Sequence, residues 1–151
     1  MVTLGAGLLT GLCATMLTGC ADDDDWPYGP PNGWGSNYFY DSRLVGQWEL
    51  EYYNGNEVSS YDTNYMDFYG KGHGRYYYYS NGRLLSEDMA YFCQERGPGS
   101  DLYQINVQYE NGQASTMNYA LSNGGDSLTL QWRSGGVYNT YIYSRVYSVP
   151  Y

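Results

Sequence analysis

Four Asn-Gly dipeptides, Asn54-Gly55, Asn81-Gly82, Asn111-Gly112 and Asn123-Gly124, punctuate the chain beyond Tyr53 and constrain its fold more than any other feature. Asn and Gly tolerate the positive φ angles that two-residue hairpin loops demand, so each dipeptide reads as the tip of a hairpin. Between them run segments rich in Tyr, Val, Leu and Trp, side chains that suit a pleated surface. In Gln47-Trp48-Glu49-Leu50-Glu51-Tyr52 polar and apolar residues alternate strictly, which puts Trp48, Leu50 and Tyr52 on one face of a strand and the polar three on the other. The same period groups Tyr103, Ile105, Val107 and Tyr109, then Met117, Tyr119 and Leu121, then Leu128, Leu130 and Trp132.

This pattern predicts eight strands, near 46–53, 58–69, 73–80, 83–94, 101–110, 113–121, 126–133 and 137–148. No stretch carries a helical apolar period or a capping box with an apolar run behind it, so the fold class is all-β. Amphipathic antiparallel strands joined by short turns build either a single up-and-down β-barrel or a β-sandwich. The barrel is favoured, because closure removes exposed strand edges.

Leu44-Val45-Gly46-Gln47-Trp48, at the head of the first strand, resembles the Gly-x-Trp opening of lipocalin-like domains. The order that follows is similar to that of short lipocalin-like lipoproteins: Phe68-Tyr69-Gly70 before a Gly-rich turn and an aromatic strand, then Tyr103 to Asn106, then Leu128-Thr129-Leu130. The resemblance spans Arg43 to Tyr147. It implies that Trp48 closes one end of the barrel and that an Arg of the last strand packs over it; Arg145 is the matching candidate, with Arg133 as the fallback.

Ahead of the barrel, Met1 to Gly19 contain no charged side chain, and the apolar stretch Leu4 to Leu17 has the length of a secretory h-region rather than of a membrane span. It ends in Leu17-Thr18-Gly19-Cys20, which resembles the lipobox of bacterial lipoproteins and implies diacylation of Cys20 followed by cleavage. The n-region lacks the Lys or Arg that signal peptides normally carry, so the expectation is that translation starts further upstream. Asp22 to Asp25 form a charge run that cannot bury itself, and Trp26 to Asn37 mix Pro, Gly and aromatics without a period. The expected organisation is a signal peptide at 1–19, an acidic and Pro/Gly-rich tether at 20–40 and a lipocalin-like barrel at 41–151. In Gram-negative lineages an acidic run behind the lipidated cysteine resembles a signal for surface export, and Ala21 is not the Asp that resembles an inner-membrane retention signal. The expected location is therefore the outer membrane, lipid-anchored, at the cell surface. The acyl chains must supply the membrane affinity.

The net charge of −9, with only seven basic residues, argues against nucleic acid and against docking through a polybasic face. Of the three cysteines, Cys13 leaves with the signal and Cys20 is lipidated, so Cys93 stands alone and an internal disulfide is excluded. His73 is the single histidine, and no helix follows Gly70-Lys71-Gly72-His73-Gly74 to make it a phosphate cradle, so a glycine-rich turn is expected there. No zinc-ligand spacing and no nucleophile signature occur. Glu49 and Glu51 share the strand face opposite Trp48 and point to solvent, where a general acid with a raised pKa is hard to make. Asp22 to Asp25 lack the preorganised cage that calcium requires. No catalytic residue, metal or cofactor is expected.

The chain does hold 21 tyrosines against three phenylalanines, including the run Tyr76 to Tyr79, of which a strand must turn two inward and two outward. The leading expectation is a non-enzymatic binding module that takes a small apolar ligand inside the barrel. Its lining would come from Trp48, Leu50, Tyr52, Phe68, Tyr103, Ile105, Tyr119 and Trp132. Those residues would equally make a packed core. The alternative is a filled barrel that contacts a protein or glycan through exterior tyrosines. An internal cavity approaching roughly 300 Å³ separates the two.

Overall fold

The computed structural model describes residues 38–95 and 103–147. The expectations for Met1 to Gly19, for Cys20 and for the tether up to Asn37 lie outside the described residues.

Eight antiparallel strands close into an up-and-down barrel: β2 (Gly46–Tyr53), β4 (Asn64–Phe68), β5 (His73–Ser80), β6 (Arg83–Glu95), β7 (Tyr103–Tyr109), β8 (Ala114–Ser122), β9 (Ser127–Ser134) and β10 (Val137–Val146). Two short strands are added, β1 (Tyr38–Phe39) beside β6 and β3 (Asn56–Glu57) beside β2. The ring runs from β2 through β4, β5 and β6, continues through β7, β8, β9 and β10, and returns to β2. Every strand of the described residues belongs to this one sheet, so the sandwich alternative is set aside.

The turn chemistry is as the sequence demands. Asn54 and Gly55 have φ of 49° and 80°, and Asn81 and Gly82 have 51° and 72°. At Asn111-Gly112 only the glycine is left-handed (φ 85°), because this loop is a residue longer and Tyr109 N–H donates to Gln113 O across it (2.8 Å). Gly135 and Gly136, both at positive φ, make a further hairpin between β9 and β10. Gly70 to Gly72 form the expected turn, not a cradle, with Tyr69 N–H bonded to His73 O (2.7 Å).

The structure corrects three sequence expectations. The strand read at 58–69 is only Asn64–Phe68, because Ser59 Oγ donates to Asp62 Oδ2 (2.8 Å) and Asp62 N–H to Ser59 O (3.0 Å), folding the intervening residues into a loop. Thr63 Oγ then takes over the rung the ladder lacks, donating to Leu50 O (2.7 Å). The sheet also takes in Tyr38 and Phe39, assigned above to the tether; they pair with Gln94 and Cys93, on the end of β6 that β5 does not reach. The third correction concerns Tyr52. Along β10 the partner of Ile142 is Tyr52 and that of Tyr143 is Leu50, so Glu51 is an extra residue in β2. This β-bulge flips the alternation by one. Tyr52 turns outward, 40% exposed, and Tyr53 turns in, its ring 4.9 Å from that of Tyr141.

An eight-stranded barrel is just wide enough for its own side chains to fill. Here Trp48, Leu50, Phe68, Met89, Ile105, Leu128 and Leu130 are fully buried, together with the rings of Tyr109, Tyr119, Tyr141 and Tyr143. Burial of each such side chain contributes roughly 1.5–3 kcal/mol.

Candidate functional site

The barrel has two different ends. At the base, where β2 starts and β10 finishes, a 3₁₀ turn at Ser42–Leu44 inserts Leu44 beneath the core. Trp48 Nε1–H donates to Leu44 O (2.8 Å). The Arg145 guanidinium lies over the Trp48 ring, 4.2 Å from its centroid, and donates to Val45 O and Arg43 O (both 2.8 Å) and to Gly125 O. Arg133, the fallback, instead lies over Tyr138 at the opposite end. Gly46 has φ of 130°, and a Cβ there would collide with Arg145 Nη1, so the Gly of the Gly-x-Trp motif clears the path of the arginine.

Beside this clamp Asp41 is buried. Its carboxylate accepts from Arg43 N–H, Nε and Nη2 and from Tyr119 Oη (2.8 Å). Burial alone would raise its pKa, but the Arg43 and Tyr119 hydrogen bonds outweigh it and hold the carboxyl below the usual range. Cys93, fully buried next to Tyr119, has its thiol pushed up by burial.

Of the eight side chains expected to line the interior, Trp48, Leu50, Phe68, Ile105 and Tyr119 are buried in the core, and Tyr103 and Trp132 pack against it half-buried. Tyr52 is not among them. Among the described residues the space found inside the barrel is small. The internal cavity is about 20 Å³, lies toward the hairpin end and touches only Trp132 of that set. Its other walls come chiefly from Met66, Tyr76, Tyr109, Met117, Tyr141 and Tyr143.

The outward tyrosines of β4 and β5 shield one another. Tyr65 and Tyr77 are nearly buried on the outer surface, packed with Tyr79 and Leu84. Tyr65 Oη donates to Glu49 Oε1 (3.2 Å), and Asp67, held above the usual carboxylate range by its burial, accepts from Gln47 Nε2 (3.1 Å).

Where β4 begins late, an open groove of about 310 Å³ lies on the outside between β2 and the 58–63 loop. Glu49, Glu51, Glu57, Ser60 and Thr63 line it, with the exposed Tyr52 and the aliphatic Leu50 and Val58. The sequence places Glu49 and Glu51 on a solvated face, which the groove shares, but it gives no signal for Glu57, Ser60 and Thr63, because they are gathered by the bulge and the loop. Among the described residues no group of three or more His, Cys, Asp or Glu side chains is arranged to hold a metal ion.

No protein-family model matches this chain, and neither a curated protein nor a solved structure matches it.

Proposed function

We propose that this chain is a non-enzymatic, lipocalin-like lipoprotein, anchored to the outer membrane through acylated Cys20 and displayed at the cell surface, which binds a glycan on the outside of its barrel. The observation that carries this reading is the contrast in space: about 20 Å³ inside against about 310 Å³ in the groove beside Tyr52. Small-molecule sites start near roughly 300 Å³. A small apolar ligand inside the barrel would therefore require the packed tyrosines to move apart.

The groove offers what a sugar needs. The exposed Tyr52 ring supplies an apolar plate with a polar tip, while the carboxylates of Glu49, Glu51 and Glu57 and the hydroxyl of Ser60 can meet sugar hydroxyls. Three carboxylates beside one aromatic ring, in a lining where only Leu50 and Val58 are aliphatic, are why a glycan is favoured over an apolar partner.

Two measurements test the reading. A glycan array probed with the purified barrel and with its Tyr52→Ala variant is expected to show retention of a subset of glycans and loss of at least about tenfold in the variant. Failure of every glycan to bind, together with a stoichiometric apolar molecule in native mass spectra of protein from its own host, would return the site to the interior. Separately, Cys20→Ala is expected to abolish fatty-acid labelling and to leave an uncleaved or soluble form; continued labelling would refute the anchor.

A further inference from the structure

We infer that the small cavity among the barrel's inner tyrosines is a binding site for a single ordered water molecule, with Tyr76 as its principal partner. At about 20 Å³ it exceeds the roughly 10–15 Å³ that one water needs, and it is far too small for an organic ligand.

The chemistry of the walls carries the argument. The Tyr76 side chain is only 2% exposed, its ring lies 5.6 Å from that of Tyr109, and its hydroxyl has no hydrogen-bond partner among the described residues. Buried hydroxyls are rarely left in that condition, because each forfeits the bonds it made to solvent. The neighbouring groups can complete a water's coordination. Tyr141 Oη accepts from Trp132 Nε1 (2.9 Å) and gives its own proton to Tyr53, which leaves it one lone pair to accept. Tyr143 Oη donates to Asn64 Oδ1 (2.7 Å) and keeps a lone pair to accept. Ser115, also buried, adds a hydroxyl to the wall. A water here would find the two to four partners that an internal site requires. Burial, followed by the nearby hydroxyls of Tyr109 and Tyr141, pushes the Tyr76 phenol well above its usual pKa, so it remains a donor throughout the working pH range.

The inference goes beyond the glycan reading and does not depend on it. Water-¹⁷O magnetic relaxation dispersion on the native protein counts internal waters with long residence times. The expected result is at least one such water in the native protein and one fewer in Tyr76→Phe. Thermal unfolding gives an independent sign: if the hydroxyl holds a water, Tyr76→Phe lowers the melting temperature, whereas removing an orphan hydroxyl from a dry site raises it. A native protein with no long-lived water, an unchanged count in the variant, or a raised melting temperature would each overturn the assignment.

Discussion

The guanidinium of Arg145 stacks 4.2 Å above the ring of Trp48 and donates to three backbone carbonyls, those of Arg43, Val45 and Gly125, so one side chain of the last strand secures β2, the segment before it and the turn ahead of β9. Replacing it with Met keeps much of the packing but leaves those carbonyls without their donor. The expected loss is about 2–4 kcal/mol, from the charged hydrogen bonds and the cation–π contact. Arg145→Lys is expected to recover little of it, since a compact ammonium lacks the planar fork that donates to three carbonyls at once. Urea denaturation measures both; a Met variant within about 0.5 kcal/mol of the parent would show that the clamp is ornamental.

Gly46 should be equally intolerant, for a different reason. At φ of 130° any other residue is strained, and its Cβ would displace Arg145 Nη1. Gly46→Ala is expected to cost about 1–3 kcal/mol, and the cost should shrink when Arg145 is already Met, because the collision is then relieved. A double-mutant cycle reads that coupling directly.

The bulge at Glu51 predicts that two adjacent tyrosines behave unlike one another. Tyr53→Ala removes an inward ring that contacts Tyr141 and should cost about 2–4 kcal/mol, while Tyr52→Ala removes an outward one and should stay under about 1 kcal/mol. The reverse ranking in denaturant midpoints would mean that β2 alternates without interruption through Tyr52.

Asp41 and Asp67 are both buried yet should respond to acid in opposite senses. The Asp41 carboxyl is held below the usual range, so its stabilisation is complete above the unfolded-state value and drains away as pH falls through the lower folded-state value. Burial keeps Asp67 above the usual range against the opposing bonds from Gln47 and Tyr69, so its ionised form weakens the fold at neutral pH and the penalty fades as pH falls through the raised value. Urea midpoints between pH 7 and pH 3 should therefore show Asp41→Asn less stable than the parent by a margin that closes in acid. Asp67→Asn should be as stable as the parent or more so at pH 7, the difference again closing in acid. Deficits of the same sign in both variants would contradict these environments.

Cys93 is fully buried and its thiol pKa is raised by that burial, so thiolate is scarce and out of reach. Iodoacetamide labelling followed by mass spectrometry should find it unmodified in the native barrel and modified once denaturant unfolds the chain. Rapid labelling of the native protein would mean that the base opens.

Most of the barrel was legible in the sequence because it is written in local rules: period-two alternation sets each strand's face, and Asn-Gly supplies the left-handed φ at three of the four dipeptide turns. What escaped was what depends on a distant partner. The extra residue at Glu51 exists because β10 pairs Tyr143 with Leu50 and Ile142 with Tyr52, a register that no residue of β2 announces on its own. The 58–63 loop reads as strand from Val58 and Tyr61, until the Ser59 to Asp62 bonds are seen to break it. Inward tyrosines could be named from parity alone, but parity does not measure free space. The groove was hidden for both reasons together.

The clamp between Arg145 and Val45 joins residues 100 apart in the sequence, whereas the barrel's other seams join strands that follow one another around the ring or are separated only by the small β3. Loop-closure entropy makes such a seam roughly 3 kcal/mol costlier to nucleate than a four-residue hairpin. That difference favours hairpins forming before the ring closes, and a contact made late acts on the rate of escape from the native state more than on the rate of arrival. The arginine above the tryptophan is, in kinetic terms, a latch that sets how long the closed barrel lives.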